Sequence, residues 1–125
     1  MEMAKTLYEK LGGYDAIAAV VDGLMVRLIG DPRLGRYFAG HSDDSKKRLR
    51  QLQRELICQS MGGPCLYLGR DMSTVHKGLG IDGTDWQKAI THLVGVLDSL
   101  KVPDELQKEI LMMMNDIKSD IVEKP

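Results

Sequence analysis

Hydrophobic residues recur along this chain at helical spacing, and no stretch reads as part of a sheet. From Tyr14 to Ile29 the apolar positions Ile17, Val20, Val21, Leu24, Met25, Leu28 and Ile29 predict an amphipathic helix. A short helix from Thr6 to Lys10 is expected before it, ended by Leu11-Gly12-Gly13. Gly30-Asp31-Pro32 then supplies a stop, an N-cap and a residue suited to the first helical position. A short helix should follow toward Tyr37-Phe38, closed by Ala39-Gly40.

The acidic start His41-Ser42-Asp43-Asp44 suits the positive end of a helix. That helix should run to Met61 on the apolar positions Leu49, Leu52, Leu56 and Ile57. It must stop at Gly62-Gly63-Pro64, because glycine accepts the left-handed conformation that closes a helix and Pro64 cannot continue one. A loop follows, then one helical turn beginning near Asp71 with His76 near its end. Thr84-Asp85-Trp86-Gln87 reads as a capping box. It opens a helix with Trp86, Ala89, Ile90, Leu93, Leu97 and Leu100 on its apolar face. Val102-Pro103-Asp104-Glu105 opens the last helix, whose stripe is Leu106, Ile110, Met113, Met114, Ile117 and Ile121. The expected class is all-α, as a single domain over residues 1–125 with room for a real core.

Charge narrows the function classes. A net charge of -1 gives no basic field, so neither nucleic acid nor a membrane surface is an expected partner. No run of about 18 apolar residues is present to span a bilayer. Met1 to Lys5 lacks the apolar core of a signal peptide. Cys58 and Cys65 lack Cys-x-x-Cys spacing and are too few for a disulfide framework, so two free thiols in a reducing cytoplasm are expected. Eight Met stand beside one Phe, one Trp and four Tyr. Large rings usually fill much of a core, and Met adapts to irregular shapes. A flat aromatic cofactor would supply the missing bulk, although aliphatic helical cores also occur without one.

Several residues are candidates for chemistry. Lys46, Lys47, Arg48, Arg50 and Arg54 read as a solvated outer face, or as cations of which one or two meet an anionic group at a pocket edge. Gln53 shares a helix side with Leu49 and Ile57 at four-residue spacing. Burying its amide unpaired costs about 1–3 kcal/mol, so it needs a partner, which a bound ligand would provide. Gly78-Leu79-Gly80-Ile81-Asp82-Gly83 has the glycine spacing of a dinucleotide loop but lacks the preceding strand, and so reads as a flexible connection. His41 and His92 have no second ligand at helical spacing, which leaves a zinc site weak. No nucleophile elbow, phosphate loop or paired-carboxylate signature is evident. A lone histidine such as His76 is more often a surface or satisfied core residue than a ligand. Haem is the exception, because it needs only one protein nitrogen and a dry slot.

The chain resembles the group I truncated haemoglobins over nearly its whole length. The matching residues are Leu7-Tyr8-Glu9-Lys10-Leu11-Gly12-Gly13, Val20-Val21-Asp22, Asp31-Pro32 and Tyr37-Phe38. They continue with Gly62-Gly63-Pro64, Gly69-Arg70, Met72, Val75-His76 and Val102-Pro103. The resemblance implies a truncated-globin fold, a two-over-two α-helical sandwich around haem b (iron protoporphyrin IX). It implies His76 as the proximal iron ligand, its other ring nitrogen donating to a backbone carbonyl, with Met72 the expected acceptor. Phe38 matches the ring that stacks on haem, and Met72, Val75, Ile81 and Trp86 match its walls. Arg50 and Tyr67 match positions that meet the propionates.

The distal side departs from that pattern. Family members usually carry a tyrosine hydroxyl in the second helix, where this chain has Leu24-Met25. Aligned backward from the glycine pair, Leu49 and Gln53 lie over the haem with Ile57 behind them, whereas the unshifted register would bury Lys46, Arg50 and Arg54. Gln53 is then the expected distal donor, and Met25 as a sixth iron ligand is the alternative. The implied function is reversible binding of oxygen, nitric oxide and carbon monoxide. Oxidation of nitric oxide or a peroxidase-like side activity would need an unidentified reductase. The alternatives are a gas sensor, disfavoured by the lack of an output domain, and a cofactor-free helical interaction module. A cytoplasmic monomer or weak dimer is expected.

Overall fold

The computed structural model describes residues 5–123, so Met1–Ala4 of the segment read against a signal peptide lie outside it. Among the described residues there is no strand, and seven α-helices and one 3-10 helix account for the regular structure. α1 is Leu7–Leu11, and its Thr6 cap forms a reciprocal box with Glu9. α2 is Tyr14–Gly30, a 3-10 helix spans Leu34–Phe38, and α3 is Asp43–Ser60, capped by Ser42. The single turn α4 is Met72–His76, α5 is Gly83–Ser99, α6 is Asp104–Asp116, and α7 is Lys118–Ile121.

The architecture is two helix pairs, α2 with α3 and α5 with α6, joined through packing of α2 on α5. Their shared core contains Ile17, Val20, Val21 and Met25 of α2 with Leu93, Val96 and Leu97 of α5 and Ile110 of α6. Each fully buried side chain of this size contributes about 1.5–3 kcal/mol, so the α2–α5 seam carries much of the stability. No helix is long and apolar enough to cross a membrane, among the described residues.

Three boundaries differ from those expected. The segment after Pro32 is 3-10 rather than α and begins at Leu34, yet the Asp31 carboxylate still caps it, accepting from the N–H groups of Arg33 (2.8 Å) and Leu34 (3.0 Å). α5 starts one residue before Thr84. Its N-cap is Asp82, whose carboxylate accepts from Asp85 N at 2.8 Å while Asp85 reaches back to Asp82 N. The last helix breaks at Ile117 (φ -101°, ψ -1°), where the bond from Ile117 N to Met114 O tightens the turn. Asn115 and Asp116 are weak helix formers, and the break lets α7 pack on α4.

The cysteines are also a correction. Cys58 and Cys65 are not free thiols but a disulfide, with Cα atoms 5.8 Å apart. The glycine pair makes this possible. Gly62 (φ +85°) ends α3 with bonds from Gly62 N to Gln59 O (3.0 Å) and from Gly63 N to Cys58 O (2.8 Å), the pattern that reverses a chain after a helix. The chain turns back beside the last turn of α3, and Cys65 arrives opposite Cys58. Gly63 sits so close that a Cβ there would lie 2.8 Å from the Cys58 sulfur.

Candidate functional site

His76 ends a helix of five residues, too short to be stable alone, so its position depends on the loop before it and the segment after it. The loop from Gly62 to Asp71 is tied to the end of α3 by the Cys58–Cys65 bridge and by Tyr67 N, which donates to Gln59 Oε1 at 2.8 Å. The Tyr67 hydroxyl donates to the Arg70 carbonyl within the same loop, and its ring lies where any side chain at Gly69 would be. On the far side α7 packs on α4. Glu123 holds the chain just past it, accepting from Gly80 N at 2.9 Å and donating its own N–H to Ile81 O at 2.8 Å.

The His76 ring is half-buried, with Nδ1 2.8 Å from the carbonyl oxygen of Met72. A carbonyl can only accept, so Nδ1 is the donor in this contact and Nε2 is the nitrogen left to face a metal. This is the contact expected for that ring. It is also the fit of this chain to haem: an imidazole oriented through Nδ1, with no hydrogen bond to Nε2 among the described residues. α4 packs on α7 and on no other helix to a comparable degree. Apolar side chains stand partly open beside it, with Val75 39% exposed and Met72 half-buried. Ile81 and Trp86, the other expected wall residues, are buried just after α4 and in the first turn of α5. Trp86 also lines a groove of about 480 Å³ with Ile90 and Leu111, which none of the other expected site residues enters.

Phe38 is half-buried at the end of the 3-10 helix. Leu49 and Ile57 of α3 pack on the core. Gln53, half-buried between them, makes no hydrogen bond within the described residues. Met25 is 1% exposed and belongs to the α2–α5 cluster. Arg54 does not face a dry pocket. Its guanidinium clamps Asp22 of α2 with contacts of 2.6 and 2.7 Å, which fits the register that places Leu49 and Gln53 inward. Arg50, one turn earlier, is half-buried. The Tyr67 hydroxyl, at a position matched to one that meets the propionates, gives its proton to Arg70 O and so braces the loop.

An ionic network that the local pattern did not reveal sets the position of the 3-10 helix. Asp85, 1% exposed, accepts from Arg33 Nε at 2.5 Å and from the Tyr37 hydroxyl at 2.7 Å, with Arg36 Nη2 at 3.4 Å. Arg33 also reaches Asp82 at 2.9 Å. Burial alone would raise the Asp85 carboxyl, but the Arg33 and Tyr37 hydrogen bonds outweigh it and hold it far below the usual carboxylate range. Beside it, His92 Nε2 lies 2.7 Å from Asp31. The His92 hydrogen bond, with those from the Leu34 and Arg33 backbone, lowers the Asp31 carboxyl to about 2. Both contacts tie the segment carrying Phe38 to α5. No group of three or more His, Cys, Asp or Glu residues suited to a bare metal ion occurs among the described residues.

Known proteins give the same picture. A family profile described as bacterial-like globin matches residues 6–123. The chain is 34% identical to the group 1 truncated hemoglobin GlbN of Mycolicibacterium paratuberculosis, over 85% of this chain and 76% of that protein. It is 33% identical to the group 1 truncated hemoglobin GlbN of a Synechocystis species, over 84% of this chain and 86% of that one. Among solved structures, the truncated hemoglobin of Tetrahymena pyriformis in its Fe(III) form superposes with a TM-score of 0.85 at 27% identity, covering 94% of this chain and 98% of that one.

Proposed function

The chain belongs to the bacterial-like globin family, with group 1 truncated hemoglobins as its relatives, and from that premise we propose that it holds one haem b through His76 and binds diatomic gases reversibly. Binding haem and gases is the property of the family; the type of haem, the residues and the gas are our reading. When bound, haem supplies a ferrous iron that takes up oxygen, nitric oxide or carbon monoxide. The chain's own residues do the rest. Met72 O keeps the proton on His76 Nδ1 and orients the ring, so that Nε2 is the nitrogen presented. Phe38, Val75, Ile81 and Trp86 supply apolar surface that keeps water from the slot. Arg50 is the half-buried cation nearest in role to a propionate partner. Gln53 holds an unspent amide donor on the inner side of α3.

Met25 stands where relatives carry a hydroxyl and cannot donate, which leaves Gln53 as the one distal donor of this set. Reversible binding is therefore placed ahead of dedicated oxidation of nitric oxide. A cytoplasmic location rested partly on unpaired thiols, and the Cys58–Cys65 bridge removes that part of the argument. The observation that carries the proposal is the His76–Met72 contact. Titrating the purified chain with hemin tests it: an intense Soret band that saturates at one equivalent is expected, and a flat titration would end it.

A further inference from the structure

We propose that the Cys58–Cys65 bridge is a reducible redox site, taking a dithiol as its reductant, whose state sets how firmly the loop before α4 holds His76. The two sulfurs are unequally reachable. Cys58 is 0% exposed in the last turn of α3 and is covered by the Gly63 backbone. Cys65 is half-buried in the loop. A thiolate of the reductant therefore attacks Cys65 Sγ, the Sγ–Sγ bond breaks, and Cys58 leaves as a thiolate and takes up a proton. The second thiol of the reductant then attacks its own sulfur of the mixed disulfide and releases Cys65. The protein gains two electrons and two protons, and the dithiol becomes a disulfide. Cys58 is a poor leaving group, because it is buried at the negative end of a helix. Exchange is thus slower than at an open cystine, and it is directed to one sulfur.

The consequence follows from where the bridge sits. The turn after α3 is already closed by the bonds of Gly62 and Gly63, so the bridge adds little there. Beyond it, the loop is held to α3 only by the cystine and by the bond from Tyr67 N to Gln59, among the described residues. Breaking the cystine removes the covalent one of these two ties, in a segment with few buried contacts that opens readily. The helix at the end of that loop is a single turn bearing His76. Coupling of thiol state to haem retention rests on the reading of His76 above, whereas coupling to loop mobility does not.

The test compares the purified full chain in three forms: oxidised, reduced by dithiothreitol that is then removed, and Cys65→Ser. Amide exchange across residues 65–71 is read without hemin, and hemin transfer to excess apomyoglobin is read after loading. Reduction should speed both by about fivefold and leave exchange in the core of α5 unchanged, and reoxidation should restore both. The Cys65→Ser chain should behave as reduced in either condition. Two titratable thiols in the oxidised protein would overturn the inference, as would unchanged exchange after reduction. Faster exchange with unchanged hemin transfer would overturn the coupling to haem alone. A chain that takes up no hemin would overturn the functional reading, and with it that coupling, while the exchange still reports on the bridge.

Discussion

The carbonyl oxygen of Met72 lies 2.8 Å from Nδ1 of His76, one turn along the same short helix. That contact decides which ring nitrogen carries the proton and leaves the other to face away from the helix backbone. A carbonyl oxygen has two lone pairs, so Met72 O at the start of α4 can accept from the ring as well as from a backbone N–H. A side chain at position 72 cannot remove it, so Met72→Ala is expected to keep the tautomer and alter only the packing beside the ring. The ferrous–imidazole stretching band in the Raman spectrum of that variant should stay within a few wavenumbers of the parent.

Replacing Gln53 by Ala removes an amide donor that has no hydrogen-bond partner among the described residues. One neutral hydrogen bond contributes about 0.5–1.5 kcal/mol, so oxygen dissociation should rise roughly threefold to tenfold. Carbon monoxide, which is much less polarised, should respond weakly. Stopped-flow release of the two gases separates these outcomes, and an unchanged oxygen rate would remove Gln53 from the account.

Met25→Tyr should slow oxygen release if Met25 faces the bound gas as proposed, since it adds a hydroxyl donor there. Met25 is buried and tightly packed, so a stability loss of about 1–3 kcal/mol from overpacking is expected alongside. If Met25 instead binds the iron, the ferrous protein without added ligand should show a six-coordinate spectrum that the substitution abolishes.

Asp85→Ala removes the acceptor shared by Arg33, Tyr37 and Arg36. The arginines can resolvate at the surface, so the cost is that of the lost charged hydrogen bonds, on the order of 2 kcal/mol. Asp82→Ala should cost about 1 kcal/mol as the loss of a cap, and Thr84→Ala should stay within about 0.5 kcal/mol. Urea unfolding of the three variants checks the order. A larger loss at Thr84 would contradict the cap seen at Asp82.

Acid should weaken the fold in a defined window. The Asp31 carboxyl is lowered to about 2 by its His92 and backbone hydrogen bonds, below its ordinary value, so the unfolded chain binds the proton first as pH falls. Stability from this group is full above about pH 4 and is lost as pH drops toward about 2. Asp31→Asn should therefore lower stability at pH 6 and flatten the dependence between pH 4 and 2. Denaturation midpoints at pH 6, 4 and 3 report both effects.

The long helices were legible because each buries one face. Ile17, Val20 and Val21 in α2, and Leu93 and Leu97 in α5, repeat at the spacing that such a face demands. His76 stood out because a glycine-ended helix, a loop and a single turn leave few other reasons for a histidine there. The links between distant segments were not legible. Asp85 is 52 residues from Arg33 and 48 from Tyr37, and no local period encodes such a meeting. For the same reason Thr84 looked like the better cap: its spacing to Gln87 is right, but the network that favours Asp82 and Asp85 forms only in the folded chain. The cystine was missed because the turn that closes it depends on the geometry of Gly62 and Gly63, not on cysteine count. The bond from the Tyr67 hydroxyl to Arg70 O lies inside the loop, and the pattern of residues did not disclose it.

The most direct test of the account is the Soret spectrum of His76→Ala beside that of the parent chain, each titrated with hemin and each confirmed as helical by circular dichroism. The parent should bind one equivalent with an intense band, and the variant should lose that band until imidazole is added in excess to replace the missing ring. A variant that binds hemin with the parent's spectrum and affinity would contradict His76 as the residue that holds the iron.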